Sequence, residues 1–166
     1  MHPFESHIRN ISDFPKTGII FKDITPLLQE RFHEVIEAMS QGIDWSQVDY
    51  VVGIESRGFI LGAGMAQLNG KGFIPMRKKG KLPPPIIAET YDLEYGTDTL
   101  EMIKEEKPAR IVLVDDVLAT GGTLKAAAKL CAKNKLEVTA MAILINLTFL
   151  NKFKEESLPV ISVLDY

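Results

Sequence analysis

Apolar residues recur along this chain with two periods. Between residues 29 and 43, Phe32, Val35, Ile36, Met39 and Ile43 fall at helical spacing, which predicts an amphipathic helix. Thr25-Pro26 just upstream suits a helix start. A second helical pattern follows from Ile60 and Leu61 through Ala63, Gly64 and Leu68, and a third carries Leu124, Ala127, Ala128 and Cys131. Between them lie short apolar runs of strand character: "YVVGI" (50–54), "GFIPM" (72–76), "RIVLV" (110–114), "VTAMAILI" (138–145) and "VISVL" (160–164). Apolar strands alternating with helices predict an α/β fold in which helices cover both faces of a central parallel sheet. Met65, Met76, Met141 and Cys131 occupy apolar-patterned positions and are assigned to its core.

Residues 77–98 break the pattern. "RKKGKLPPP" is basic and then proline-rich, which excludes a regular helix, and "ETYDLEYG" after it alternates like a strand. This stretch is read as a long loop or hairpin projecting from the body, and Thr99–Lys104 as a short helix. No repeat, low-complexity segment or linker interrupts the 166 residues, so a single domain is expected.

Composition narrows the class. A net charge of −3 gives no support for a surface that coats nucleic acid or anionic lipid. The lone cysteine, Cys131, allows no intramolecular disulfide, the N-terminal residues lack an apolar signal region, and Val138–Ile145 is too short to span a bilayer. A cytoplasmic protein with no membrane and no nucleic-acid partner is expected. His2, His7 and His33 are scattered, without metal-ligand spacing.

Two turns carry candidate chemistry, and in parallel sheets ligands gather beyond the carboxyl ends of the strands. One is "GIESRG" after Tyr50–Ile54. The other is "VDDVLATGGT", where Asp115 and Asp116 precede Ala119, Thr120, Gly121, Gly122 and Thr123. Paired glycines let consecutive N–H groups point into one concavity, the following helix adds its positive end, and the threonines add hydroxyls: a phosphate cradle. The motif is neither a P-loop nor a dinucleotide fingerprint. Two carboxylates beside a phosphate need something between them. A vicinal diol is one candidate, because ionised carboxylates only accept hydrogen bonds, and Mg²⁺ is another.

"VLVDDVLATGGT" resembles the ribose-phosphate motif of the type I phosphoribosyltransferases. "FPKTGIIFKDITPLL" (14–28), "ESRGF" (55–59), "RKKGKLPPP" (77–85) and "YDLEYG" (91–96) occur in the order seen in the family's adenine-specific members, and the resemblance covers roughly residues 14–150. It implies a core of about 29–76 and 99–166, an N-terminal base-binding hood over 1–28, and a flexible catalytic loop over 77–98. It further implies transfer of phosphoribose from 5-phosphoribosyl 1-diphosphate to adenine, giving AMP and diphosphate with Mg²⁺, in purine salvage by a homodimer.

The resemblance also implies residue roles. Ala119–Thr123 would wrap the 5′-phosphate, while Asp115 and Asp116 would hold the ribose hydroxyls, with Mg²⁺ bound mainly through substrate. Arg57, Arg77 and Lys81 would meet the diphosphate, the arginine at 77 often coming from the partner subunit, and cations placed on developing charge are the expected catalytic device. A cis peptide is expected between Glu55 and Ser56. Glu94 would transfer a proton at the purine, beside Tyr95 in the loop. Adenine would stack on Phe21 and be read by backbone groups near Ile20 and Lys22. Lys22 replaces a frequent arginine and lacks its planar fork. Pro84 replaces a common glycine, so Pro83–Pro85 is expected to stiffen the hood towards polyproline II. The alternatives are a transferase for another purine base and a non-catalytic nucleic-acid-binding regulator of the same fold.

Overall fold

The computed structural model describes residues 2–93, 96–151, 153 and 158–166; Glu94 and Tyr95 lie outside the described residues. A two-stranded antiparallel ribbon, β1 (Arg9–Ser12) and β2 (Ile20–Asp23), precedes the body. The body is a seven-stranded sheet of β3 (Tyr50–Ile54), β4 (Gly72–Lys78), β5 (Ile86–Leu93), β6 (Gly96–Ile103), β7 (Ala109–Leu118), β8 (Leu136–Asn146) and β9 (Val160–Asp165), in the order β5-β6-β4-β3-β7-β8-β9. From β4 to β9 neighbouring strands run parallel, whereas β6 joins β4 and β5 antiparallel.

Among the described residues three α-helices cover this sheet: α1 (Thr25–Ser40), α2 (Arg57–Leu68) and α3 (Gly122–Lys133). Leu27, Val35, Ile36 and Met39 of α1 and Leu61 and Met65 of α2 pack with Val51, Val112, Val114 and Leu144 on one face. Leu124, Ala127, Leu130 and Cys131 of α3 pack with Ile111, Leu113, Met141 and Ile143 on the other. No helix among the described residues is long and apolar enough to cross a membrane.

Several expectations shift. The first helix runs over Thr25–Ser40 rather than 29–43, and Ile43 lies beyond the positive-φ Gly42. Thr99–Lys104 is not a helix: Gly96–Ile103 is a strand held between β5 and β4. "TLEM" consists largely of good helix formers, but hydrogen-bonding partners on both edges and burial of Leu100 and Met102 override propensity. Among its described residues the stretch 77–98 is mostly β-strand, with irregular backbone over 79–85. Pro83–Pro85 is no continuous polyproline II run, since the Pro84–Pro85 peptide is cis. "RIVLV" extends through both aspartates to Leu118, because β8 continues to pair with that strand as far as Asn146.

The topology reverses between β3 and β7. The chain leaves β3 for β4 on one side and later returns through β7 on the other, so the carboxyl ends of β3 and β7 open a crevice at the switch point. Close packing sets the position of α2 at that crevice. A Cβ on Gly53 would lie 2.6 Å from Gly58 O and 2.7 Å from the Phe73 ring, and one on Gly58 would lie 2.9 Å from Val114 O. Gly53→Ala is therefore expected to destabilise the fold by about 1–3 kcal/mol through overpacking. Urea unfolding monitored by Trp45 fluorescence checks this, and a midpoint unchanged from wild type would refute the packing argument.

Candidate functional site

Arg57 is the first residue of α2. Its guanidinium Nη2 lies 2.5 Å from Asp116 Oδ2, Nη1 donates to Lys22 O at 3.0 Å, and Cζ sits 4.7 Å from the centre of the Phe21 ring. One arginine thus joins the end of β7 to the second strand of the N-terminal ribbon. Phe14 meets Phe21 edge-on at 5.2 Å. Lys22 Nζ lies 3.8 Å over the Tyr166 ring. Ile20 is exposed at 59%.

Asp115 and Asp116 are both buried. The N–H of Asp116 donates to Asp115 Oδ1 at 2.9 Å. Burial, then the neighbouring Asp116 carboxylate, push the Asp115 carboxyl well above the ordinary carboxylate range. Asp116 Oδ2 is buried beside Arg57, yet no donor meets it in hydrogen-bonding geometry. A desolvated carboxylate oxygen with unused acceptor capacity suits a hydroxyl donor or a hard cation.

The loop after β7 is set by Gly121, whose φ of +91° favours glycine and whose absent Cβ would meet the Phe153 ring at 2.5 Å. Gly121 also caps α3, with no side chain closing the helix end. The first-turn N–H groups of Gly122 and Thr123 therefore have no intrahelical partners. Ala119 packs against the core beside α1 and α2, while Thr120 is exposed.

Across the crevice Glu55 gathers the basic segment. It accepts from Arg77 Nε at 3.3 Å and from the Lys78 N–H at 2.9 Å, and it pairs with Lys81 Nζ. Burial works to raise its pKa, but Lys81, the Lys78 amide and Arg77 prevail and hold it at about 2. The Glu55–Ser56 peptide is cis, as expected. Arg57 is thus held by Asp116, and Arg77 and Lys81 by Glu55, two residues before Arg57. Sequence reasoning gave Glu55 no role beyond its peptide bond, because its value comes from two cations more than 20 residues away. Phe153 and Tyr166 were also missed, and no local spacing marks either one.

The chain matches the phosphoribosyl transferase domain over residues 21–158. It is 51% identical to the adenine phosphoribosyltransferase of Bdellovibrio bacteriovorus over 98% of each chain. It superimposes on the crystal structure of the Rhodothermus marinus adenine phosphoribosyltransferase with a TM-score of 0.92 and 45% identity, covering 98% of this chain and 96% of that one. The Saccharomyces cerevisiae enzyme, solved with an imino-altritol bisphosphate and adenine, gives a TM-score of 0.87 at 33% identity over 96% and 95% of the two chains. The chain belongs to the phosphoribosyltransferase family, within it to the adenine phosphoribosyltransferases.

The electrostatics make two pH predictions of opposite sign. Glu55, at about 2, and Asp23, lowered to about 2 by hydrogen bonds from Thr25 and by Arg9, are depressed carboxylates. Their contribution is fully present above their ordinary values of 4.5 and 3.8 and is lost as pH falls towards 2. Asp115 is raised, so above 3.8 the folded state holds a proton the unfolded state lacks, and stability falls as pH rises through that window. Asp115→Asn is expected to flatten the fall on the alkaline side of the urea-midpoint profile and leave the acid limb in place. An unchanged profile would refute the assignment to Asp115.

Proposed function

We propose that this chain transfers the phosphoribosyl group of 5-phosphoribosyl 1-diphosphate to adenine, releasing AMP and diphosphate. The observation that carries the reading is the crevice at the β3–β7 switch point, where Arg57 meets Asp116 at the strand that leads into the Gly121–Gly122 turn and Glu55 holds Arg77 and Lys81. In this reading Ala119–Thr123 and the start of α3 hold the 5′-phosphate through N–H groups and hydroxyls. Asp115 and Asp116 accept from the ribose 2′- and 3′-hydroxyls and fix the ribosyl carbon that reacts. Arg57, Arg77 and Lys81 leave their carboxylates for the diphosphate and stabilise the charge it gains on departure. Phe21 stacks the base, and the Ile20 and Lys22 backbone reads its edge. The adenine held by the yeast relative supports this choice of base. Glu94 is assigned the proton transfer at the purine, with Tyr95 beside it.

The donor set fits Mg²⁺: two buried carboxylates, one of them with an oxygen that pairs with Arg57 but accepts no hydrogen bond. Asp115 and Asp116 would hold the ion together with the substrate, and it would supply positive charge against the charge developing on diphosphate. A homodimer acting in the cytoplasm belongs to the same proposal. The exposed Phe32, Ile60 and Leu68 suit a partner surface.

Adenine, phosphoribosyl diphosphate and Mg²⁺ should yield AMP, and Asp115→Asn or Asp116→Asn should lower kcat/KM by at least about 100-fold with folding retained. A panel of bases decides specificity: conversion of hypoxanthine but not adenine would overturn the choice of base. Tight, salt-sensitive RNA binding without turnover would favour the regulator.

A further inference from the structure

The β5–β6 hairpin is seated on α3 by one alternating face. Ile87, Glu89 and Tyr91 are partly buried there, while Ile86, Ala88, Thr90 and Asp92 between them are exposed. Glu89 pairs with Lys133 at the end of α3, and the Tyr91 hydroxyl reaches Thr123 Oγ1, 3.4 Å away, at its start. Strand β5 therefore lies along the helix from its last turn back to the phosphate loop. Beyond Tyr91 it runs on through Leu93 towards Glu94.

The Tyr91 hydroxyl sits in a closed set of partners. Lys78 Nζ donates to it at 3.1 Å and also pairs with Asp98, which lies opposite Tyr91 in the hairpin. Tyr91 donates to Asp98 Oδ2 at 3.2 Å. Counting protons fixes the direction of the remaining bond. An ammonium only donates, and an ionised carboxylate only accepts. The single Tyr91 proton therefore goes to Asp98, and Thr123 must donate its own to Tyr91. A phosphate entering the loop also only accepts, so it competes for that Thr123 proton. When it takes it, Tyr91 can turn its O–H from Asp98 to the vacated Thr123 oxygen. Asp98 remains served by Lys78 and by the Thr99 N–H at 2.8 Å.

We propose that Tyr91 is a positioning residue that couples 5′-phosphate occupancy at Thr123 to the seating of the β5–β6 hairpin on α3. This rests on the phosphoribosyl reading of the Ala119–Thr123 loop. Phosphate binding reverses the Tyr91–Thr123 hydrogen bond, and the charge-assisted bond from Thr123 to phosphate polarises it, which draws the hairpin onto the start of the helix.

Hydrogen exchange of the amides in 86–93 and 96–103, measured with and without saturating ribose 5-phosphate, tests the coupling. In wild type the ligand should slow exchange about five- to tenfold, the worth of roughly one hydrogen bond. In Tyr91→Phe, calorimetry should find ribose 5-phosphate bound within about threefold of wild type, while the slowing drops below about twofold. The same variant should lower kcat about five- to tenfold, with KM for phosphoribosyl diphosphate within about twofold. Asp98→Asn keeps the tyrosine and its packing, removes the competing anion, and should shrink the ligand response as well. An undiminished response in both variants overturns the proposal. So does loss of ribose 5-phosphate binding in Tyr91→Phe, which would make Tyr91 part of the phosphate site itself. Wild type that binds ribose 5-phosphate without any hairpin response overturns the coupling alone. Wild type that fails to bind it overturns the phosphoribosyl reading too.

Discussion

Charge taken out of water must be matched, and the crevice at the β3–β7 switch point is where this chain concentrates it. Three carboxylates, Asp115, Asp116 and Glu55, are buried or nearly so, and Arg57, Arg77 and Lys81 approach two of them. A buried ion without a partner costs several kcal/mol, more than most single contacts return. Each of these cations has an internal partner. Asp115 is the exception. With no cation of its own it answers burial by holding its proton, which its raised pKa expresses.

The sheet explains why these groups meet at all. Asp115 and Arg57 are 58 residues apart, yet β3 and β7 are hydrogen-bonded parallel neighbours with Gly53 level with Val114, so the turn after β3 lies beside the aspartates. The helix that follows β3 can start so close to β7 because Gly53 and Gly58 leave out the Cβ atoms that would collide. The functional arginine is positioned by the absence of two methyl groups. The packing of α2 and the electrostatics of the crevice are thus one problem.

Much of this was legible in the sequence because parallel strands, buried on both faces, read as apolar runs, and their helices as helical stripes. The phosphate turn was legible because paired glycines followed by a helix have few other uses beside two acids. What escaped notice depended on pairing over distance. Thr99–Ile103 carries helix-forming residues, and only its two strand neighbours make it extended. Glu55 reads as an ordinary acid at a turn until Lys81 folds back onto it. Tyr91 reads as one more alternating residue of a strand. Its value lies in Thr123, Lys78 and Asp98, which no spacing rule brings together.

The two sides of the crevice then differ in kind. On the β7 side the groups are fixed by regular structure: Asp115 and Asp116 lie within β7, and Gly122 and Thr123 begin α3. On the opposite side the cations reach in from the end of β4 and from the irregular segment after it, and their partner is the carboxylate of Glu55. A rigid half suits a group that must be aimed, since a small misplacement of the reacting carbon forfeits rate. An exchangeable half suits a group that must arrive, gather charge and leave. Under the proposed reading Glu55 would serve that second requirement, because a cation with a waiting internal partner can release a departing anion without itself being stranded.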